Sequence, residues 1–227
     1  MTTAGPVGRH NVLAACGIAA PLAFTTAVIA ASINHPGYDQ LKNFISELGA
    51  TGAPAAGVMN FAGFLPYGLM MVAFALAVHR GIRADAGGWL GPSILALYGL
   101  AYVALSVAPC DPGCQAATPS LHHRMHLLLG DLIFLTAVLG PFTLYARMLK
   151  DPAWRSLAPA TLLLPGTAWL ILEASGVGVS GALRQRLWLL LLFGWIVLMA
   201  LRLLRDDRTP IPQPAIRSEM PKHSLLP

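Results

Sequence analysis

Six continuous apolar stretches, each near the length of a membrane-crossing helix, leave this chain few ways to fold. They fall at Val12–Ile33, Ala55–Val78, Trp89–Ala108, Leu121–Met148, Leu157–Leu172 and Gln185–Leu204. A hydrocarbon layer about 30 Å thick takes roughly 20 residues of helix to cross. Lipid also requires every backbone polar group to find its partner within the protein, which leaves helices or a closed barrel. The stretches are unbroken rather than alternating apolar with polar, and this selects helices. The expected fold is therefore all-α: a polytopic membrane helical bundle of six transmembrane helices. Charged residues make up only 11% of the chain, against about a quarter in soluble domains, so no soluble domain is expected beside the bundle.

The chain divides into a cytoplasmic N-terminus (1–11), a transmembrane domain (12–204) and a cytoplasmic tail (205–227). The tail is rich in Pro and Ser without apolar periodicity, and disorder is expected there. Arg9 and the small residues Ala30, Ala31 and Ser32 give the first stretch the look of a signal peptide. Its apolar run exceeds the roughly 7–15 residues of a signal core, so it reads as a retained anchor. The fifth stretch is the weakest, because Pro159 and Pro165 interrupt it and Glu173 ends it. A kinked helix is tolerable there, since neighbouring helices can satisfy the freed carbonyls.

A net charge of +5 would suit nucleic acid, but the charges are sorted by side. Eleven of the basic residues (Arg9, Arg80, Arg83, Arg147, Lys150, Arg155, Arg202, Arg205, Arg208, Arg217 and Lys222) lie on one side of the spans and four (Lys42, Arg124, Arg184 and Arg186) on the other. That asymmetry follows the positive-inside rule and places both termini in the cytoplasm of a bacterial plasma membrane. The inward cations serve topology and contact anionic lipid. Membrane lipids are the expected partners, and nothing reads nucleic acid.

The outward connections carry the side chains with chemistry. In the first, Leu41, Phe44, Ile45 and Leu48 recur at helical spacing. An interfacial amphipathic helix from Gln40 to Leu48 is expected, capped by Asp39 and stopped by Gly49. Its polar face either meets water or holds Ser46 and Glu47 over the mouth of the bundle, as catalytic candidates. The second connection contains Cys110-Asp111-Pro112-Gly113-Cys114, where Pro-Gly suits the centre of a type II turn. Such a turn brings Cys110 and Cys114 together, and a disulfide is expected outside the cell. A thiolate metal pair is the lesser alternative, and Cys16 reads as a small core residue.

His122 and His126 stand four apart on the fourth span, and His123 and His126 three apart. Either pair can chelate a divalent metal such as zinc, with Glu47 or Glu173 as a third ligand. The plainer reading is interfacial histidines donating to headgroups or loop carbonyls. Asp131, five residues beyond His126, points about 140° away from it on a helix. It lies inside the apolar layer, where an acid is either functional or part of a buried ion pair. Arg124, Arg184 and Arg186 are its candidate partners. The arginines opening the sixth span also suit an anionic headgroup, which a guanidinium grips with two hydrogen bonds, although arginines at helix ends commonly just snorkel.

Taken together, three motifs resemble an uncharacterised family of prokaryotic integral membrane proteins, domain of unknown function 998. They are Asn43-Phe44-Ile45-Ser46-Glu47-Leu48-Gly49, Cys110-Asp111-Pro112-Gly113-Cys114 with a histidine on the next span, and Gln185-Arg186 opening the last. The resemblance extends over about residues 12–204 and implies a six-helix bundle without naming an activity. It carries over Ser46, Glu47, Asp111, His126 and Arg186 as functional positions. Asp111, Arg124, Arg184, Gln185 and Arg186 are candidates for substrate or headgroup contact. The leading expectation is a membrane protein with a polar, lipid-binding outer face. The alternatives are a metal-dependent lipid hydrolase or transferase, and a solute transporter built on Asp131, Glu173 and the broken fifth span.

Overall fold

The computed structural model of the protein describes residues 6–83, 88–174 and 178–205. Six α-helices account for most of them: α1 (Pro6–Ile33), α2 (Leu65–Gly81), α3 (Leu90–Leu105), α4 (Leu121–Met148), α5 (Ala158–Glu173) and α6 (Gly181–Leu204). No strand occurs among the described residues. Each helix packs against the next and α6 returns to α1, so the six close into a ring. Five helical segments are long and apolar enough to cross a membrane, while Leu90–Leu105 is shorter. Many large apolar side chains, among them Leu22, Leu128, Phe142, Leu163 and Leu190, face outward. A soluble protein rarely carries so broad an apolar exterior. The tail expected to be disordered lies, from Asp206 onward, outside the described residues.

Small residues and aromatics build the interior. At the α2/α3 crossing a Cβ on Gly99 would come within 2.7 Å of the Gly68 carbonyl oxygen, and one on Gly68 within 2.5 Å of the Gly99 oxygen. The two backbones touch there because neither residue has a side chain, the usual device for close helix packing in lipid. Above the crossing, Phe24, Phe64, Tyr67, Tyr102 and Phe193 form a tilted and edge-to-face cluster. The Tyr67 and Tyr98 hydroxyls bond to each other at 2.8 Å, which satisfies two buried polar groups inside it.

Two elements differ from expectation. The first outward connection is not an amphipathic helix over Gln40–Leu48. Turns occupy its first half, and a 3-10 turn runs from Ile45 to Gly49. The reason is local: Asp39 accepts from the Leu41 amide at 2.8 Å and Asn43 accepts from the Asp39 amide at 2.9 Å. Side chains that satisfy nearby backbone amides compete with helix formation. The second span begins with a π-helical turn, Val58–Phe64, before α2. The fifth span, by contrast, is a helix as expected, and it runs on through Pro165. Pro159 falls in its first turn, where no amide partner is needed.

The end of the bundle that carries Arg80, Arg83 and Arg147 is more than a basic rim. Arg147 is only 2% exposed and donates to the carbonyls of Arg83 and Gly88, each at 3.0 Å, and of His79 and Ile82. It thus binds the end of α2 and the start of α3 to the end of α4. Asp151, also buried, accepts from the Arg83 and Ala153 amides.

Candidate functional site at the outer end

The helix ends that the charge pattern leads one to expect outside the cell, called the outer ends from here on, are roofed by two connections fastened to each other. The Thr51 amide donates to the Cys110 carbonyl at 2.9 Å. The second connection turns where expected. The Cys114 amide bonds the Asp111 carbonyl at 2.8 Å, and Gly113 has φ 69° and ψ 7°, the conformation of the second central residue of a type II turn. The Cys110 and Cys114 sulfurs stand at disulfide distance, with Cα atoms 5.1 Å apart.

Asp111 organises the rest of that connection. Its carboxylate accepts from the Ser120 amide at 2.9 Å and lies 3.5 Å from His123 Nδ1, while its own amide donates to that nitrogen at 3.0 Å. The hydrogen bonds from Ser120 hold the Asp111 carboxyl below its ordinary value of 3.8. Ser120 in turn caps α4, its hydroxyl accepting from the His123 amide at 3.1 Å.

Beneath this roof lies a cavity of about 260 Å³, lined mainly by Phe24, Phe64, Tyr102, Phe134, Trp188 and Leu189. Its polar lining is sparse: Ser46, Cys110 and Cys114 above, His123, His126 and Asp131 from α4, and Gln185 from α6. A second cavity of about 280 Å³ lies beside it, sharing Phe24, Ile45 and Leu189 as a common wall and reaching Gln40 and Arg186.

His126 is 8% exposed. Its Nδ1 lies 2.9 Å from the Ala108 carbonyl oxygen, so that nitrogen is the donor and Nε2 keeps the lone pair. His123 has the opposite arrangement: Nδ1 accepts from Asp111, so in the neutral ring Nε2 carries the proton. The two histidines expected to share a metal therefore present different chemistry. His122 is exposed. Among the described residues, neither His122 nor His123 joins a cluster of three potential metal ligands, and neither do Glu47 and Glu173. The cluster that does occur joins Cys110, Cys114 and His126.

The remaining candidates are dispersed. Glu47 folds back on its own turn, accepting from the Phe44 amide at 2.7 Å and from Asn43 Nδ2 at 2.8 Å. It does not line the cavity, whereas its neighbour Ser46 does. Asp131 is exposed and lines the cavity together with His126, although helical spacing set the two apart. No ion pair among the described residues joins Asp131 to Arg124, Arg184 or Arg186. Arg124 donates instead to the Pro119 carbonyl at 3.2 Å, and Arg184 to the Leu172 carbonyl at 2.7 Å.

Gln185 and Arg186 fasten the first connection to α6. Gln185 Oε1 accepts from the Ile45 amide at 3.0 Å. Arg186 commits all five of its N–H groups. Nε and Nη2 reach Gln40 Oε1, Nη1 reaches the Asn43 and Ala182 carbonyls, and Nη2 also reaches the Tyr38 hydroxyl at 2.7 Å. Burial raises the Tyr38 phenol above its usual range despite Arg186, so it stays protonated and donates onward to the Phe44 carbonyl at 3.1 Å. Sequence reading gave no role to Tyr38, Gln40 or Asn43. Asn43 had a signal as the first residue of a quoted motif, whereas Tyr38 and Gln40 had only their place in a polar connection whose partner Arg186 lies some 140 residues away.

A closed ring of apolar helices, roofed at one end by a cysteine-linked turn over an aromatic cavity, defines a polytopic helical protein of membrane character. The chain belongs to the family described as protein of unknown function (DUF998), whose model matches residues 18–202. No curated protein and no solved structure matches it.

Proposed function

We propose that this is a six-span membrane protein, with both termini in the cytoplasm of a bacterial plasma membrane, that binds an amphiphile from the surrounding bilayer in its outer cavity. The observation that carries the binding is the lining: aromatic and aliphatic walls with a few polar groups gathered toward one end, the usual character of a small-molecule site. Its volume falls just below the roughly 300–1,000 Å³ common for such sites. One chain or a compact head fits, and the neighbouring cavity behind the Phe24/Ile45/Leu189 wall offers room for a second chain.

A span at α3, which brings the number to six, is supported by the height of that helix with its flanking turns. Gly88, just before it, bonds Arg147 near the end of α4, and Ala108, just after it, bonds His126 near the start. At 1.5 Å per residue the interval from His126 to Arg147 along α4 measures about 30 Å, the thickness of a hydrocarbon layer, and α3 with its flanking turns reaches both of its ends. The basic bias of the inner connections supports the orientation.

Because Arg186 is fully engaged, the polar group of the amphiphile meets Ser46, His126, Gln185 and Asp131 rather than a free guanidinium. A hydroxyl, amide or amine suits these partners better than a phosphate. The test is mass spectrometry of lipid retained by protein purified in mild detergent. A Leu189→Trp variant, which fills the wall shared by the two cavities, should retain markedly less of the bound species, and Asp131→Asn should change which species is retained. Equal retention in both variants would sink the proposal. A second reading, metal-dependent hydrolysis or transfer on lipid, draws support from the presence of His126 and Asp131 in one cavity. The transporter reading loses its broken fifth span.

A further inference from the structure

The cysteine pair has a neighbour that a purely structural disulfide does not need. The ligand-capable atoms of Cys110, Cys114 and His126 all lie within 4.8 Å of one another. A tetrahedral zinc with Zn–S of about 2.3 Å and Zn–N of about 2.0 Å sets its ligand atoms roughly 3.5–3.8 Å apart. Small side-chain adjustments bring the three to that spacing once the sulfurs are no longer bonded to each other.

We propose that Cys110, Cys114 and His126, with the cysteine pair in its dithiol state, form a transition-metal site suited to zinc, whose fourth coordination position opens on the outer cavity. Three observations support it. The first is the histidine's tautomer. Donation from Nδ1 to the Ala108 carbonyl leaves Nε2 to bind metal, and metal-bound histidines nearly always anchor the other ring nitrogen in this way. The second is the contact to a sulfur. Ser46 Oγ lies 3.5 Å from Cys114 Sγ. In the metal-bound state the hydroxyl turns to donate to the Cys114 thiolate. The third is access: all three ligands and Ser46 line the same cavity, so a bound metal keeps a face toward whatever occupies it. Two thiolates and an imidazole favour zinc over magnesium or calcium, and a three-ligand zinc with an open position is the catalytic rather than the structural pattern.

The disulfide and the metal site are alternative states of the same sulfurs. Two electrons from an external dithiol break the Cys110–Cys114 bond, that dithiol becoming a disulfide. The freed thiols lose their protons as the metal binds. The site lies in the wall of the amphiphile cavity but does not rest on the lipid reading, because metal uptake is measured in detergent with no lipid added.

The experiment is a cobalt(II) titration of the full chain after reduction with a phosphine, and of the untreated oxidised chain. The reduced protein should bind one cobalt with thiolate-to-metal absorption in the near ultraviolet, displaced by zinc, and the oxidised protein should bind none. His126→Ala should abolish the absorption, His122→Ala should keep it, and Ser46→Ala should weaken affinity about tenfold. Zinc should also slow alkylation of Cys110 and Cys114 in the reduced wild-type chain, a readout that needs no variant to fold. The proposal is overturned by equal cobalt uptake in the reduced and oxidised proteins, by uptake undiminished in His126→Ala, or by an alkylation rate indifferent to zinc.

Discussion

At the scale of single residues, arginine is the side chain whose place is most altered by the fold. Arg147 sits among the inner basic residues that a charge count assigns to topology, yet it is buried and serves four carbonyls at the α2–α3 junction. Half-buried Arg186 is the clamp at the other end, where its five N–H groups reach two carbonyls, the Gln40 side chain and the Tyr38 hydroxyl and exhaust the planar fork. Lysine offers three donors from a single point and cannot reproduce that geometry. Arg186→Lys should therefore keep the charge but loosen the first connection, costing about 1–3 kcal/mol and speeding protease cleavage between Tyr38 and Asn43. Unaltered cleavage would mean that the clamp is dispensable. Asp111 makes a prediction in pH. Its folded pKa lies below the ordinary 3.8, so its contribution is present above that value and lost as pH falls through and below it. Thermal stability should drop on acidification below about pH 4 by more in the wild type than in Asp111→Asn, compared as the difference between their melting curves.

At the scale of elements, the α2/α3 crossing is the most sensitive contact. A methyl at position 99 would meet the Gly68 backbone, which cannot rotate away, whereas one at Gly194 meets nothing within 4 Å. Gly99→Ala should cost about 1–3 kcal/mol through overpacking, and Gly194→Ala should be neutral or slightly stabilising. Unfolding of both variants in mixed detergent separates the two outcomes. Every apolar stretch in the sequence became a helix, because hydropathy over some 20 residues is a sum that tertiary detail does not overturn. The Pro-Gly turn was legible for a related reason: its geometry is written in two adjacent residues. The first connection was not. Its apolar spacing promised a helix, but Asp39, Asn43 and Glu47 spend their side chains on nearby amides and end the helix before it starts. Spacing also divided His126 from Asp131, and the cavity reunites them because it is wide enough to take in both flanks of α4. The cysteine–histidine cluster was equally out of reach, since Cys114 and His126 are separated by a connection whose path depends on the Asp111–His123 and Asp111–Ser120 contacts.

At the scale of the whole molecule, the alternating helices place Arg147 and Arg202 at one end and His126 and Arg186 at the other. A reporter that works only in the cytoplasm should be active when fused after Leu204 and inactive when inserted at Gly37, an exposed turn in the first connection. The reverse pattern would invert the proposed orientation. The ring itself has a consequence for how the protein is made. Of the six helices, α1 leaves the ribosome before the others, and its packing partner across the closure, α6, leaves after them. Until α6 is made, then, the flank of α1 destined for it lacks its cover, with Phe24 open on the side that Phe193 later fills. A chain truncated before α6 would leave the outer cavity without Gln185, Trp188 and Leu189, and the first connection without its clamp. Completion of the last helix is thus the step that seals the first, and a nascent chain stalled short of it carries an open seam for quality-control proteases to recognise.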